Sequence, residues 1–200
     1  MILNRFEYAL MNNPVRAAVQ RHIEARKLLR MGGSMNGGRA LEIGCGGGVG
    51  GQLILDVFGA DSVDGFDLDP RMVARARKRH SNNRHRVCLW VGDATAIGTP
   101  DETYDAVFDF GIIHHIPDWR RSLDEVHRVL KPAGRFYAEE ALGAFIDQPI
   151  VRALMDHPRI DRFNTANFAG ALENSGLELD ETKELLGSFA WFVATKRTRF

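Results

Sequence analysis

The sequence predicts an α/β fold built on a mostly parallel β-sheet. From Ala40 onward, short apolar runs alternate with segments of helical period. Such alternation lays parallel strands side by side through crossover helices. The first apolar run feeds directly into "LEIGCGGGVGG", where Gly44, Gly46, Gly47, Gly48, Gly50 and Gly51 crowd a single turn. At 200 residues the chain is long enough to bury one substantial core.

The elements follow in order. Asn13 before Pro14 is a helix start, with asparagine as cap and proline in the first turn. Val15, Val19, Ile23, Leu28 and Leu29 then recur at near-helical spacing until Met31. The run "GGSMNGG", residues 32–38, is a turn-rich linker that stops this helix. A first strand at 39–43 leads to a helix around 50–58. A second strand at 62–66 leads to a helix from Pro70 capped by Asp69. Strands at 86–91 and 104–109 come next, then a helix around 118–130. "KPAG", residues 131–134, is a breaker that turns into a strand at 135–139. Residues 142–164 are less regular and precede the helix of "TANFAGALENSG". "LELDETKEL" and "SFAWFVATKR" are two strands joined through Gly187. They must pair antiparallel, because a parallel pair needs a long crossover. The chain thus divides into an N-terminal helical cap and linker, residues 1–38, and one globular unit, residues 39–200.

Composition narrows the function classes. Hydrophobic residues make up 44% and charged residues 26%, an ordinary soluble globular balance. Lys plus Arg equals Asp plus Glu at 26 each. That neutrality removes the general electrostatic footprint of a nucleic-acid or membrane-surface binder. The start, "MILNRFEYALMNN", lacks the basic region and apolar run of a signal peptide. No stretch reaches the length of a spanning helix. Cys45 and Cys88 form no metal-ligand pattern and are expected to stay reduced, so the expected compartment is the cytoplasm.

Each glycine costs roughly 0.5–1 kcal/mol relative to alanine in regular structure, so the glycine run needs a reason. Glycine permits positive backbone dihedrals and close approach of the main chain to a ligand. A glycine turn after the first parallel strand lies at the carboxyl edge of the sheet, where open α/β folds bind ligands. Gly46, Gly48 and Gly51 satisfy the dinucleotide pattern G-x-G-x-x-G. The same stretch also reads Glu42-x-Gly44-x-Gly46-x-Gly48, and glycine spacing alone does not choose between the two. In "VDGFDLDP", Asp67 ends the second strand about 20 residues further on, where a carboxylate binds both hydroxyls of an adenosine ribose. Asp69, directly before Pro70, is the better helix cap. In "VGDATAIG", Asp93 lies just beyond the third strand, placed to accept a hydrogen bond from an adenine amine. In NAD-binding folds that place is more usually apolar.

Taken together, "ALEIGCGGG", "GFDLDP", "VGDATAI", "YDAVFDFGIIHHIPD" and "VLKPAGRFYAEE" resemble the successive motifs of class I S-adenosyl-L-methionine-dependent methyltransferases. They look most like the family that includes ubiquinone- and menaquinone-biosynthesis enzymes, and "SFAWFVATK" is similar to its antiparallel last strand. The resemblance runs from about residue 39 to 196. It implies a Rossmann-like three-layer sandwich whose seven-stranded, mostly parallel sheet has the order 3-2-1-4-5-7-6. It also implies S-adenosyl-L-methionine as cofactor, S-adenosyl-L-homocysteine as product, and a small-molecule methyl acceptor. Two departures stand out. Pro132-Ala133-Gly134 replaces the usual Pro-Gly-Gly turn, and no long insertion supplies a full substrate domain.

By that match, Glu42 faces the cofactor's ammonium group, and Gly44, Gly46 and Gly48 admit its methionine portion. Asp67 holds the ribose and Leu68 packs on the adenine face. Asp93 takes the adenine amine, with Ala94 nearby, while Asp109 and Phe110 line the sulfonium end. Carboxylates and an aromatic face suit a ligand carrying two positive centres.

Methyl transfer is an in-line displacement that needs near-attack positioning and exclusion of water, with no metal. Where a proton must be removed, His114 and His115 in "IIHHIPD" are the candidate acceptors. The resembling family often carries a histidine at the position of His115. The alternative is that His115 packs beneath the helix start at Pro117 and Asp118 and orients the loop. Adjacent histidine side chains diverge, so no metal site is expected there. Glu139 and Glu140 alternate in facing, so at most one meets substrate. Tyr8, Met11 and Asn12, together with Phe145, Met155, His157 and Phe163, are candidate pocket walls. The basic stretch "RMVARARKRHSNNRHR", residues 71–86, reads as a solvated helix face, with an RNA contact as the alternative. Two other function classes stay open: an NAD-dependent oxidoreductase and a non-catalytic cofactor-binding module.

Overall fold

The computed structural model describes residues 13–154 and 161–198. Asn13 caps the first helix by accepting the Arg16 N–H, and Pro14 sits in the first turn of α1 (Pro14–Val19). A single π turn, Gln20–Glu24, separates α1 from α2 (Ala25–Gly32). The wider turn rotates the helix face and buries both Gln20 and Glu24.

The sheet contains β1 (Arg39–Ile43), β2 (Ser62–Asp67), β3 (Val87–Val91), β4 (Tyr104–Phe110), β5 (Leu130–Ala141), β6 (Leu177–Leu185) and β7 (Phe189–Lys196). Their spatial order is β3-β2-β1-β4-β5-β7-β6. β1 to β5 run parallel, and β7 runs antiparallel to both β5 and β6. The crossovers carry α3 (Val49–Asp56), α4 (Pro70–Arg79) and α5 (Trp119–Val129). Two short helices, α6 (Gly143–Ile146) and α7 (Pro149–Leu154), and then α8 (Thr165–Asn174) lie between β5 and β6.

Each face of the sheet has its own core, as the period-2 alternation of strand side chains requires. On one face Ile43, Phe66, Val107 and Phe136 pack with Trp119, Leu123 and Phe168. On the other, Phe108, Tyr137 and Trp191 pack with Leu53 and Phe58 of the first crossover, and with Ala25 and Leu28 of α2. Phe108 and Tyr137 stack in parallel with ring centroids 4.7 Å apart. The result is the three-layer sandwich and strand order that the motifs implied.

Of the elements that differ from their sequence expectation, β5 departs furthest. β5 begins at Leu130, so "KPAG" lies within the strand rather than ahead of it. Pairing with β4 jumps from Tyr104↔Leu130 to Ala106↔Arg135, and Ala133 takes φ 62°. The breaker residues therefore form a bulge that the flanking pairs hold in line. β2 and β4 each run one residue past their expected ends, to Asp67 and Phe110. Those extra residues carry two of the candidate side chains to the carboxyl edge. There the turns after β1, β2, β3 and β4 gather.

Candidate active-site cleft

The turn after β1 is held open by glycine. Gly44, Gly46 and Gly48 have φ of 67°, 47° and 80°, a region that other residues enter at a cost. A Cβ on Gly44 would lie 2.4 Å from Ile112 Cγ1, so this glycine lets the turn after β4 close against the one after β1. A Cβ on Gly50 would lie 1.9 Å from Glu42 Oε1. Only at a glycine, therefore, can the Glu42 carboxyl reach across the start of α3. Glu42 is 3% exposed, and its Oε2 has no hydrogen-bond partner among the described residues. Burial, and then the charge of Asp67, hold its pKa well above the usual carboxylate range, opposed by the Gly51 N–H.

Asp67 is half-buried and ties two turns together. Its Oδ2 accepts the Gly46 N–H at 2.9 Å and its Oδ1 accepts the Asp69 N–H at 2.9 Å. Burial raises its pKa against those two donors. Asp69 takes the capping role, accepting the Arg71 N–H at 2.8 Å and pairing with the Arg71 guanidinium. That pairing lowers its pKa.

These groups border a cleft of two lobes. The smaller, of about 80 Å³, is lined by Glu42, Gly46 and Phe110, with Arg16 and Gln20 from the first helix. The larger, of about 310 Å³, is lined by Phe66, Leu68, Gly92, Asp93, Ala94 and Pro117. Gly44, Asp67, Ile112 and His115 border both lobes. Asp93 keeps one oxygen on the Thr95 N–H and hydroxyl, each at 2.8 Å. A long ligand lying through both lobes meets Glu42 and Asp69 in the smaller, Asp93 and Asp118 in the larger, and Asp67 bordering both.

Nine of the twelve sequence-singled residues thus line the cleft, namely Glu42, Gly44, Gly46, Asp67, Leu68, Asp93, Ala94, Phe110 and His115. Gly48, Asp109 and His114 do not. Gly48 packs against α4: its carbonyl lies 2.8 Å from His80 Nε2, and a Cβ there would meet Ala76 Cα at 3.0 Å. Asp109 is fully buried beneath the turn after β4, where its Oδ1 accepts the Ile112 N–H at 2.9 Å. It faces Glu140 rather than the cleft. His114 turns the same way, its Nδ1 2.5 Å from Glu140 Oε2.

Glu140 fastens this turn from below. Its carboxyl accepts the Ile113 N–H at 2.7 Å and the His114 N–H at 3.3 Å. Burial pushes its pKa up to about 7, and burial beside Glu140 pushes Asp109 well above its ordinary value. Two buried carboxyls facing each other do not both ionise readily, so the pair retains a proton. Glu139 falls on the other face, as alternation requires, and accepts the Trp191 indole N–H at 3.1 Å.

The two histidine rings do not diverge as expected but lie 4.2 Å apart at 37°. Among the described residues there is still no cluster of three His, Cys, Asp or Glu able to hold a metal. Phe145 and Phe163 border neither lobe; Phe145 packs on Phe189 and Phe163 on Trp119. Tyr8, Met11, Asn12, Met155 and His157 lie outside the described residues.

The basic stretch is largely spent within the fold. Arg71 pairs with Asp69, Arg77 donates to the Leu89 carbonyl, and Arg86 donates to the carbonyls of Ala60 and Asp61. Arg79 Nε donates to the Gly47 carbonyl at 2.8 Å. Arg79 and His80 thus brace the glycine turn from α4, a role no local pattern announces. Ile112 is a further cleft residue that sequence reasoning passed over, as are Arg16 and Gln20. The i,i+4 spacing of those last two on one helix was the available signal.

Residues 40–134 match the profile of a methyltransferase domain family. A probable S-adenosylmethionine-dependent methyltransferase of Mycolicibacterium smegmatis is 32% identical over 142 residues, covering 71% of this chain and 52% of that protein. The fatty-acid O-methyltransferase of the same organism is 34% identical over 124 residues, covering 62% and 44%. The chain spans about half the length of these curated relatives. A solved complex of the Haloferax volcanii Trm112 methyltransferase activator and a putative methyltransferase shares the fold. One of its chains superposes with a TM-score of 0.77 at 20% identity, over 93% of this chain and 95% of that one.

Proposed function

We propose that the chain, whose residues 40–134 match a methyltransferase domain family, is a class I S-adenosylmethionine-dependent methyltransferase that acts on a small-molecule acceptor. The observation that carries the reading is the spacing of carboxyls along the cleft. Glu42 offers an open, buried oxygen at one end, Asp67 stands at the junction, and Asp93 stands at the other end. Those groups fit an ammonium, a ribose and an adenine amine in that order. Gly44 and Gly50 let Ile112 and the Glu42 carboxyl close on the cradle.

When bound, the cofactor supplies a methyl group already activated on a sulfonium. The chain's own residues bind, orient and exclude water. Glu42, in its ionised form, accepts from the ammonium. Asp67 keeps the Gly46 and Asp69 N–H groups and turns its remaining lone pairs to the ribose. Phe110 presents an aromatic ring toward the positive centre. His115, buried where the lobes meet, is the group placed to take a proton from the acceptor.

A small acceptor is supported by the balanced charge and by the internal use of Arg71, Arg77, Arg79 and Arg86. Similarity to a fatty-acid O-methyltransferase points the same way. The test is to incubate purified protein and methyl-labelled S-adenosylmethionine with a cell extract. Label is expected in a small-molecule product. Label in RNA or protein, or none anywhere, overturns the reading. A thermal shift with S-adenosylhomocysteine and none with NAD is expected alongside.

A further inference from the structure

The turn after β4 is fastened from two strands at once. Gly111, at φ 81°, reverses the chain, and a single 3-10 turn, Ile113–His115, follows. The leading N–H groups of that turn all go to carboxyls. Ile112 donates to Asp109 Oδ1 at 2.9 Å, and Ile113 and His114 donate to Glu140 at 2.7 Å and 3.3 Å. The His114 ring brings its Nδ1 to the same Glu140 carboxyl. Both of these side chains are buried, at 9% and 0% exposure, so the contact is shielded from bulk water.

Two backbone donors and a ring nitrogen on one carboxyl favour its ionised form, which is acceptor-only and offers about four lone-pair sites. Asp109 supplies the complement. Its Oδ2 is buried and meets no N–H among the described residues, as befits an atom that carries a proton of its own. Burial raises the pKa of both acids. The charge of Glu140 and a hydrogen bond to it then raise Asp109, and the same bond lowers Glu140. Beyond Glu140, the His114 ring lies 4.2 Å from the His115 ring, tilted by 37°. His115, 5% exposed, borders both lobes of the cleft.

We propose that Asp109 and Glu140 are positioning residues for His115. Asp109 donates its Oδ2 proton to Glu140, Glu140 accepts His114 Nδ1–H, and the ring so fixed sets the angle at which His115 meets the acceptor. The inference rests on His115 being the proton acceptor of the proposed reaction. Long-range 1H–15N spectra of the imidazoles, taken above neutral pH, should show His114 protonated on Nδ1 in the unaltered protein. Glu140→Gln brings an amide N–H to a site where Ile113 and His114 already donate, so the ring signals of His114 and His115 should both shift. Asp109→Asn, whose amide accepts from Ile112 and donates to Glu140, should leave those signals in place. Methyl transfer from labelled S-adenosylmethionine into cell-extract products should fall about 100-fold in Glu140→Gln, as when a reacting group is misplaced. S-adenosylhomocysteine affinity should hold, because Glu140 borders neither lobe. His114→Asn, which keeps a donor for Glu140 and loses the ring, should show the same loss of transfer, and it serves if Glu140→Gln does not fold. A bare Nδ1 on His114 in the unaltered protein, or His115 signals that stay put in Glu140→Gln and His114→Asn, would overturn the inference. So would equal loss of transfer and cofactor affinity, which makes Glu140 a support for the fold alone. Undiminished transfer in His115→Gln would remove the proton-acceptor reading itself, a separable result because the ring signals are read without any acceptor.

Discussion

At the scale of single residues, burial raises the pKa of two of the cleft's carboxyls, Glu42 and Asp67. Glu42 has its pKa raised well above normal, yet it must be ionised to accept from an ammonium. Cofactor binding should therefore expel a proton, and affinity should rise with pH until the free protein's Glu42 has itself ionised. Calorimetry of S-adenosylhomocysteine in buffers of differing ionisation enthalpy reads that proton directly, and Glu42→Gln should abolish its release. Asp67→Asn should leave a ribose hydroxyl poorly paired, costing about 1–3 kcal/mol of binding, or roughly five- to hundred-fold in Kd. An unchanged Kd would remove Asp67 from the site.

Glu140 gives a stability prediction of definite sign. Its ordinary pKa is 4.5 and its folded value is about 7, so between these values the folded chain holds a proton that the unfolded chain has lost. Its stabilising contribution is full below 4.5 and disappears as pH rises through about 7. Melting curves should thus show the unaltered protein losing stability over this window more steeply than Glu140→Gln. Asp67 and Asp93 could be read from sequence because they mark strand ends and the turns beyond, whereas Glu42 entered through the family resemblance. The true partner of Asp109 could not, since Glu140 reaches it from a neighbouring strand about 30 residues away and spacing alone does not say which way a side chain turns.

At the scale of elements, local pattern located nearly every strand and helix, because apolar runs and caps such as Asp69 and Asn13 act within a few residues. The bulge in β5 escaped it. Proline, alanine and glycine at 132–134 read as a stop, and pairing with β4 before and after them carries the strand through. The π turn was equally hidden, since no local spacing announces the burial of Gln20 and Glu24 that accompanies it. Gly50 sets propensity against packing. Alanine in a helix interior is worth about 1 kcal/mol over glycine. Against that, the new methyl would sit 1.9 Å from Glu42 Oε1, and overpacking of this kind typically costs 1–3 kcal/mol. Gly50→Ala is expected to displace the Glu42 carboxyl and weaken S-adenosylhomocysteine binding, even if denaturant melts show little loss of stability.

At the scale of the whole molecule, one sheet separates two cores, and the cleft sits where four parallel strands end. Strand order entered through resemblance to a family, because no local pattern states which strand lies beside which. The division at residue 38 is a proposal, and the packing of α2 gives it a measurable consequence. Ala25 and Leu28 are fully buried in the second core, and the Tyr137 hydroxyl donates to the Gly32 carbonyl at 3.0 Å. Leu28→Ala should cost about 2–5 kcal/mol in urea unfolding, as for other buried leucines. A chain starting at Arg39 should lose more, and its cofactor affinity should fall with it.

The clasp that Arg79 and His80 place on the glycine turn bears on how outside surfaces are probed. Neutralising the positive stretch between 71 and 86 is the obvious way to ask whether a polyanion docks there. Such variants would let the glycine turn slacken at Gly47 and Gly48, and turnover would drop with no polyanion involved. A control at Arg84, away from that clasp, separates a true docking defect from a loosened hinge between strand and helix.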